Sequence, residues 1–227
     1  MIGNKRVLAV VPARGGSKGI PGKNLKAIAG RSLLHRTIDQ ALEAKTIDDV
    51  VVTSDDAEIL LHASEIAGVL TIERPRDLAA DDTAMWPVVV HALENSSACD
   101  VVVLLQPTSP LRLPADIDGA VSMLVERNAN SVMSVCEVAK SPYWMFTIGS
   151  GDKLQRILPK QPVATRQELP PCYEINGALY VVTTDWFRRS HVFVDDDTLA
   201  FVMPRERSVD IDTPADFALA EQLLRGE

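Results

Sequence analysis

Short runs of β-branched residues alternate with helical segments along the first half of the chain, and this alternation constrains the fold more than any other feature. Val7–Val11 is a continuous apolar run closed by Pro12, as expected of a strand buried on both faces. Val50–Ser54 and Val101–Leu105 repeat the pattern, with helical segments between them. Strands that alternate with helices indicate βαβ units, so we predict an α/β fold with a mostly parallel, Rossmann-like sheet and flanking helices.

Capping residues mark where the helices of this fold should begin. Ser32 precedes a helix whose apolar residues share one face, and Ser54-Asp55-Asp56 is suited to cap a second helix that Gly68 ends. A further helix is predicted from about Thr83 to Glu94. Thr213-Pro214 opens the last helix, since proline favours the first helical position.

The pattern changes in the second half of the chain, where strands dominate. Ser134–Val138 and Trp144–Ile148 flank or enter a turn at Gly149–Asp152, and we predict that they form a protruding β-hairpin arm. At 227 residues the chain is about one and a half times as long as a domain of ~150 residues. We therefore expect one domain over residues 1–227, with the arm inserted at about residues 138–172.

Composition excludes several classes of protein. Hydrophobic residues make up 46% of the chain and charged residues 24%, which is typical of a packed globular domain. No apolar run approaches the ~18 residues of a membrane span, so we expect no membrane segment and a cytoplasmic protein. The net charge of -8 argues against nucleic acid as a partner. Cys99, Cys136 and Cys172 lack metal-ligand spacing and are expected to be reduced packing residues.

The first predicted loop is basic, although the chain as a whole is acidic. No Asp or Glu occurs up to Thr37, whereas this stretch contains eight basic residues, namely Lys5, Arg6, Arg14, Lys18, Lys23, Lys26, Arg31 and Arg36. The loop Ala13–Asn24 contains four glycines, whose backbone N–H groups can approach an anion while Arg14 and Lys23 add charge. Because ligands of open α/β sheets bind at the carboxyl ends of strands, we predict an anion-binding loop here.

Two common phosphate-binding motifs do not describe this loop. A P-loop requires G-x-x-x-x-G-K-[ST], but Ser17 stands where the first glycine belongs and Asn24 follows Lys23. No three glycines of the loop have the G-x-G-x-x-G spacing of the dinucleotide fingerprint. Arg14 can nevertheless bind two phosphate oxygens, and Lys23 can act as a mobile point charge. A purely structural turn is the alternative.

Asp210 and Asp212 form a second candidate site. They are two residues apart, so on an extended segment both carboxylates point to the same side. This arrangement suits Mg²⁺, which takes one or two carboxylates together with phosphate oxygens and water. We predict that Asp212 is a direct metal ligand, while Asp210 either completes the coordination or accepts a proton. The alternative for Asp212 is that it caps the last helix.

Five parts of the sequence, taken together, resemble one known family. They are Val11–Leu25, Glu73-Arg74-Pro75, Leu104–Arg112, Arg166-Gln167 with Tyr173–Tyr180, and Asp210-Ile211-Asp212. In this order they are similar to the motifs of the acylneuraminate cytidylyltransferases, the CMP-sialic acid synthetases, and they span nearly the whole chain. One departure is Met85-Trp86-Pro87, which stands where small polar residues are expected after Thr83.

The resemblance implies an enzyme in which the anomeric hydroxyl of a nine-carbon 2-keto sugar acid attacks the α-phosphate of CTP, giving a CMP-sugar and pyrophosphate. Charge gathers on phosphoryl oxygens in such a transition state, so catalysis depends on positioning and electrostatic neutralisation. One alternative is a 3-deoxy-octulosonate cytidylyltransferase, whose first loop carries Thr-Arg-Leu in place of Lys18-Gly19-Ile20. The other is a non-catalytic nucleotide-sugar-binding protein on the same fold.

The motifs assign residues to this chemistry. The candidate catalytic residues are Arg14, Lys23, Asp210 and Asp212, the last two as Mg²⁺ ligands. The candidate nucleotide-binding residues are Ala13, Arg14, Gly15, Ser17, Lys23, Asn24, Arg74 and Thr83, and the resemblance implies that Arg74 and Thr83 help to hold the base and ribose. The candidate sugar-binding residues are Gln106, Lys140, Arg166, Gln167 and Tyr173; a guanidinium such as that of Arg166 matches a carboxylate bidentately.

The resemblance also implies a homodimer. In the family the arm region pairs with a second subunit and brings residues toward the neighbour's sugar site, so Arg166 is expected to act across the interface. The arm carries Tyr143, Trp144, Met145 and Phe146, too much apolar surface for a free hairpin in water. The alternative is that the arm folds back on its own domain.

Overall fold

The computed structural model describes residues 2–17, 19–80, 82–159 and 168–226 of the chain. Arg166 and Gln167, two of the predicted sugar-binding residues, lie outside the described residues. The strands are β1 (Val7–Pro12), β2 (Ala27–Ile28), β3 (Arg31–Ser32), β4 (Asp49–Ser54), β5 (Val69–Glu73), β6 (Val101–Leu104), β7 (Ser131–Glu137), β8 (Phe146–Ile148), β9 (Leu154–Arg156), β10 (Tyr173–Thr183) and β11 (Leu199–Val202).

Helices lie between most of these strands. They are α1 (Leu33–Glu43), α2 (Ala57–Ser64), α3 (Met85–Glu94), α4 (Pro114–Glu126), α5 (Thr184–Ser190) and α6 (Pro214–Arg225). Within the described ranges, no helix combines the length and the apolar character that crossing a bilayer would require.

A seven-stranded sheet forms the centre of the described structure, in the order β11-β7-β10-β6-β1-β4-β5. Strand β1 is parallel to β4 and β6, so that Val10 lies opposite Val51 and Leu104, and β4 is parallel to β5. Strand β10 runs antiparallel between β6 and β7, and β11 is parallel to β7. The predicted α/β fold with a mostly parallel sheet is therefore confirmed, and the loops after β1, β4, β5 and β6 share one edge of the sheet.

Helices cover both faces of this sheet because the strand residues are apolar on both sides. On one face Ala9 packs in a core with α1, α2 and α4, through residues such as Ile38. On the other face Val10 packs with α3 and α5, through Val89 and Phe187. The continuous apolar run of β1 is explained by this burial on two faces.

Strand β10 contains an irregularity. Its pairing with β7 shifts register between Ile175 and Tyr180, and Gly177 within this bulge has a φ of 74°. The buried Asn176 side chain holds the bulge in place, because its Oδ1 accepts a hydrogen bond of 2.6 Å from the Ser134 hydroxyl. The bulge redirects β10 beside the carboxyl end of β6.

The arm differs from its prediction in the first strand. Most of Ser134–Val138 belongs to β7 of the central sheet, so its assignment to the arm is wrong. Residues 131–136 are buried between β10 and β11, as expected of a core strand. The hairpin consists instead of β8 and β9, which pair in antiparallel fashion with Phe146 opposite Arg156. Its participation in a dimer stays a prediction.

The helix starts follow the capping residues. The Ser32 hydroxyl accepts a hydrogen bond of 3.2 Å from the His35 N–H, and Asp56 caps α2 in the same way. Helix α2 ends at Ser64, before Gly68, which lies in the turn leading to β5. Helix α5 has no counterpart among the sequence predictions.

Candidate active site

The loop after β1 is closed by polar contacts to its own backbone. The Gly15 N–H donates to the Asp55 carboxylate at 3.3 Å, and the Asn24 side-chain amide donates to the Arg14 carbonyl at 2.9 Å. Asn24 is buried, so its amide shapes the loop. Ala13 is also buried and can offer a ligand little besides its backbone. These two contacts hold the backbone of the loop at Arg14 and Gly15.

The segment Asp210–Asp212 lies against this loop because the residue between its two carboxylates is buried. Ile211 packs with Ile20 of the loop and with Phe217 of α6 in a small separate core. Its N–H donates to the Thr108 carbonyl at 2.8 Å, which ties the segment to the loop after β6. With Ile211 turned inward, the carboxylates on either side of it are left at the cleft.

Lys23 joins the basic loop to the acidic segment. Its Nζ lies 2.5 Å from the Ile211 carbonyl oxygen and 3.3 Å from Asp212 Oδ1. The Lys23 side chain is 12% exposed, whereas that of Asp212 is 75% exposed. Backbone contact reinforces the pairing, because a Cβ at Gly19 would overlap the Asp212 carbonyl oxygen. An ion pair with one partner so open to water contributes little stability, so a ligand with stronger partners can replace it.

Asp212 does not cap the last helix. The N-cap of α6 is Thr213, whose hydroxyl accepts a hydrogen bond of 3.3 Å from the Asp216 N–H. The Asp216 carboxylate accepts one of 2.8 Å from the Thr213 N–H in return. This reciprocal capping box satisfies the start of the helix. The capping alternative for Asp212 is therefore wrong, and its carboxylate lines the cleft.

Asp210 lies beside Gln106 in the same cleft. A Cβ at Gly177 would lie 3.1 Å from Gln106 Oε1 and 3.6 Å from Asp210 Oδ2, which shows how closely the three groups approach. Asp210 is accessible from the cleft, but the surrounding walls displace much of its water and raise the pKa of its carboxyl group. A hydrogen bond from Thr108 opposes part of this shift.

These groups line a cleft of about 320 Å³ at the carboxyl ends of the strands. It brings together eight of the sequence-predicted residues, namely Arg14, Ser17, Lys23, Asn24, Arg74, Gln106, Asp210 and Asp212. Further described residues that line it are Pro12, Gly19, Met85, Pro107 and Thr108. The cleft therefore combines cations from the first loop with two carboxylates.

Arg74 reaches the cleft from the end of β5 and is held by Asp55. Its side chain is 4% exposed, its Nη2 lies 3.5 Å from Asp55 Oδ1, and its N–H donates to the Ser54 carbonyl at 2.7 Å. Burial lowers the pKa of Arg74, and the charge of Asp55 opposes this shift. Since Asp55 also accepts from Gly15, one carboxylate positions both Arg74 and the first loop.

Three predicted residues lie away from this cleft. The Thr83 hydroxyl donates to the Asp77 carbonyl at 3.2 Å. Lys140 lines a separate apolar cavity of about 360 Å³ at the base of the arm, together with Trp144. Tyr173 is exposed at the start of β10. A single copy of the chain therefore does not unite the predicted sugar-binding residues among those described.

A buried guanidinium fixes the loop that carries Gln106. Arg112 is fully buried and donates to the Ala178 carbonyl at 2.6 Å and to Gln40 Oε1 at 3.1 Å. The Gln40 amide donates in turn to the Pro110 carbonyl at 2.9 Å. Burial lowers the pKa of Arg112 to about 9, so its guanidinium stays charged at neutral pH. This network ties the loop after β6 to α1 and to the bulge of β10.

Sequence reasoning missed Asp55, Thr108 and Met85 as residues of the site. Asp55 carried a signal, because an acidic residue directly after β4 lies at the same sheet edge as the loop after β1. Thr108 also follows a parallel strand. Met85 is recognisable from the sequence only as a departure from the family pattern.

A basic glycine-containing loop and a carboxylate pair at one end of a Rossmann-like sheet define a nucleotide-binding α/β enzyme of the nucleotidyltransferase class. The family model described as cytidylyltransferase matches residues 8–224. The chain belongs to the cytidylyltransferase family.

Two relatives and one solved structure show the extent of this similarity. CMP-N,N'-diacetyllegionaminic acid synthase of Legionella pneumophila is 34% identical over 224 residues, covering 96% of each chain. N-acylneuraminate cytidylyltransferase of Streptococcus agalactiae is 31% identical over 92% of this chain, which spans 51% of that protein. The structure of a CMP:2-keto-3-deoxy-manno-octonic acid synthetase complexed with CTP matches with a TM-score of 0.75 over 97% of this chain and 99% of that one, at 16% identity, and so shares the fold.

Gly177→Ala is expected to impair catalysis as well as stability. Its φ of 74° costs an L-residue about 1–2 kcal/mol, which denaturant unfolding can measure. The new Cβ would in addition press on Gln106 Oε1 at 3.1 Å and shift the groups beside Asp210. We expect cytidylyltransferase turnover to fall about 10-fold or more, since small misplacements of reacting groups have large effects.

Gly30→Ala is the matched control. Gly30 lies in the turn between β2 and β3 and has a similar φ of 79°, but a Cβ added to it would meet no atom within 4 Å. The variant should lose comparable stability and keep its turnover. Equal turnover in the two variants would contradict the placement of Gln106 and Asp210 at the reacting centre.

Proposed function

We propose that the protein transfers CMP from CTP to the anomeric hydroxyl of a sialic acid or a related nonulosonic acid and releases pyrophosphate. The observation that carries this proposal is the single cleft in which Arg14 and Lys23 of the first loop meet Asp210, Asp212 and Gln106. Membership of the cytidylyltransferase family, together with the activities named for its relatives, supports the choice of CTP and of a nine-carbon acid.

The first loop binds the triphosphate. The Arg14 guanidinium can donate to two phosphate oxygens at once, and Lys23 neutralises charge on the departing pyrophosphate. To do so, the Lys23 ammonium exchanges its contacts with Ile211 and Asp212 for phosphate oxygens. The stabilisation that Lys23 provides is larger in the transition state, because negative charge accumulates there on those phosphate oxygens.

The opposite side of the cleft acts on the sugar. The anomeric oxygen forms a bond to the α-phosphorus while the bond from that phosphorus to the β-phosphate oxygen breaks. Asp210 accepts the hydroxyl proton, because its carboxylate lies next to Gln106, whose amide can orient the sugar. On the nucleotide side, Arg74 donates to the edge of the base from its buried position at the end of β5.

The donor set fits a divalent cation carried by the nucleotide. Asp210 and Asp212 are carboxylates that line the cleft, and Mg²⁺ prefers carboxylate and phosphate oxygens. Asp212, whose side chain is 75% exposed, would hold the ion. Bound there, Mg²⁺ would neutralise phosphate charge and so allow the triphosphate to lie near two carboxylates.

A pyrophosphate-release assay tests the reaction. With CTP, Mg²⁺ and a panel of N-acylneuraminic, N,N'-diacetyllegionaminic and 2-keto-3-deoxy-manno-octonic acids, we expect turnover with a nine-carbon acid. Little turnover is expected when ATP or GTP replaces CTP.

Arg14→Ala should lower kcat/KM in the same assay by about 10²-fold, since it removes a charge that stabilises the transition state.

The same assay separates the alternatives. Turnover confined to the eight-carbon acid would assign the protein to octulosonate activation instead. Binding of CTP without turnover of any acid would indicate a nucleotide-sugar-binding protein on the same fold.

Asp212→Asn is expected to nearly abolish turnover and to raise the Mg²⁺ concentration needed for half-maximal activity. The amide keeps the shape of the side chain but loses the charge that attracts the cation. The melting temperature without ligands should change little, because the ion pair with Lys23 is open to water.

Thr213→Ala provides the opposite control. It removes the hydroxyl that caps α6 and should cost about 1 kcal/mol of stability while turnover is retained. Near-normal activity and an unchanged Mg²⁺ requirement in Asp212→Asn would overturn the metal assignment.

The arm supports a homodimer as a further part of the proposal. Within one chain its apolar side chains stay uncovered, with Ile148 75% and Leu154 67% exposed. A second copy would cover them and could bring Lys140 and Arg166 toward the neighbouring cleft, where their charges suit the sugar carboxylate.

Ile148→Lys is therefore expected to shift the protein toward monomer and to lower turnover, because it places a charge in an apolar contact. Light scattering at assay concentration gives the mass. Leu61→Lys on α2, at a residue 61% exposed, is the matched control and should leave the mass unchanged. An active protein of monomer mass would contradict the dimer.

A further inference from the structure

Met85 is the largest apolar side chain on a cleft that is otherwise charged and polar. Apart from Met85, the described lining residues are polar side chains, two prolines and a glycine. Met85 is half-buried, and it packs on the same core face as Val89 of α3. Its thioether is a weak hydrogen-bond acceptor, so it suits contact with an apolar surface of a ligand rather than with phosphate.

The position of Met85 indicates which ligand surface this is. Helix α3 packs over β1 and β4, so Met85 reaches the cleft on the same side as Arg74, which follows β5. Asp210 and Gln106 approach from the β6 and β10 side. The first loop, with its cations, lies between the two sides. A nucleotide with its phosphates at that loop would place its base beside Arg74 and Met85.

Met85 has no side-chain cap to hold its helix end. The N-cap of α3 is Ala84, which makes no capping hydrogen bond, and Pro87 at the third position has no N–H. A ring contact holds the start of the helix together with core packing: the Trp86 indole stacks on the His191 imidazole with centroids 4.3 Å apart and planes 18° apart. Neighbouring residues of a helix point about 100° apart, so Trp86 can face α5 while Met85 faces the cleft.

We propose that Met85 is a nucleotide-binding contact that packs on the face of the pyrimidine ring, and that Trp86 and His191 are positioning residues that hold it there. The inference rests on the proposed function, since it takes the ligand to be CTP. Methionine sulfur packs favourably on aromatic rings, and a base held between this thioether and the cleft wall leaves its edge toward Arg74.

The test measures CTP affinity directly, by calorimetric titration with CTP and Mg²⁺ in the absence of any sugar acid. Met85→Ala should weaken CTP binding about 3- to 10-fold, the range expected for a sulfur–ring contact with its buried area. Met85→Leu keeps the apolar volume and should stay within about 2-fold of the original protein. The KM for the sugar acid at saturating CTP should not change.

Two further measurements separate a ring contact from other causes. Met85→Ala should lower the affinity for dCTP by the same factor as the affinity for CTP, because a side chain on the ring face does not touch the ribose 2'-hydroxyl. His191→Asn keeps a residue that tolerates the left-handed backbone at φ 55° but removes the stacked ring. It should weaken CTP binding about 2- to 5-fold with little change in melting temperature.

Equal CTP affinity in Met85→Ala and in the original protein would overturn the inference, as would a loss seen with CTP and absent with dCTP. If Met85→Ala does not fold, Met85→Gln, which keeps the side-chain length, is subject to the same two outcomes. An original protein that binds no CTP would instead refute the proposed function. Normal CTP binding in His191→Asn would remove the positioning role of the stack.

Discussion

The site depends on the burial of one residue, Ile211. Its side chain packs with Ile20 and Phe217, its N–H donates to the Thr108 carbonyl at 2.8 Å, and its carbonyl oxygen accepts from Lys23 Nζ at 2.5 Å. Burying one Ile side chain contributes about 1.5–3 kcal/mol. That is enough to hold a short segment between two loops, while Lys23 and Thr108 contact the carboxylates of Asp212 and Asp210 directly.

A second constraint acts from the other side of the cleft, where buried polar groups set the backbone. Arg112 binds the Ala178 carbonyl and Gln40, while Asn176 binds the hydroxyls of Ser134 and Ser208. Buried polar groups of this kind are costly unless they are paired. They therefore stabilise the backbone conformation in which they are paired relative to conformations in which they are not. The arrangement they favour is the bulge of β10 that lies beside Gln106 and Asp210.

The charges of the cleft suit a ligand that brings both an anion and a cation. Lys23 is paired with an exposed Asp212, and Arg74 is paired with Asp55 at 3.5 Å, so neither cation is committed to a strong, short, buried ion pair. A triphosphate with its cation can replace the exposed Lys23–Asp212 contact at small cost, while Asp55 keeps Arg74 in position. An acidic chain can bind a polyanion in this way because Arg14 and Lys23 of the first loop line the same cleft.

The sequence by itself determined the features that depend on neighbouring residues. The apolar run Val7–Val11 needs burial on two faces, the caps at Ser32 and Thr213 satisfy their own helix ends, and the basic loop must follow the first strand. For these reasons the α/β alternation and the residues of the first loop could be predicted. The Asp210-Ile211-Asp212 pattern also placed two carboxylates on one side, since alternation along an extended segment is local.

Only the tertiary structure decided which distant segments meet. The sequence of strand β7 predicts part of a hairpin. Pairing with β10 and β11 places it in the core instead, because long-range pairing outweighs the local turn signal. Asp55 becomes a site residue only because β4 lies next to β1 in the sheet, and Met85 only because its helix starts at the same edge. These contacts join residues far apart in the chain, so no short window of sequence contains the interaction that determines them.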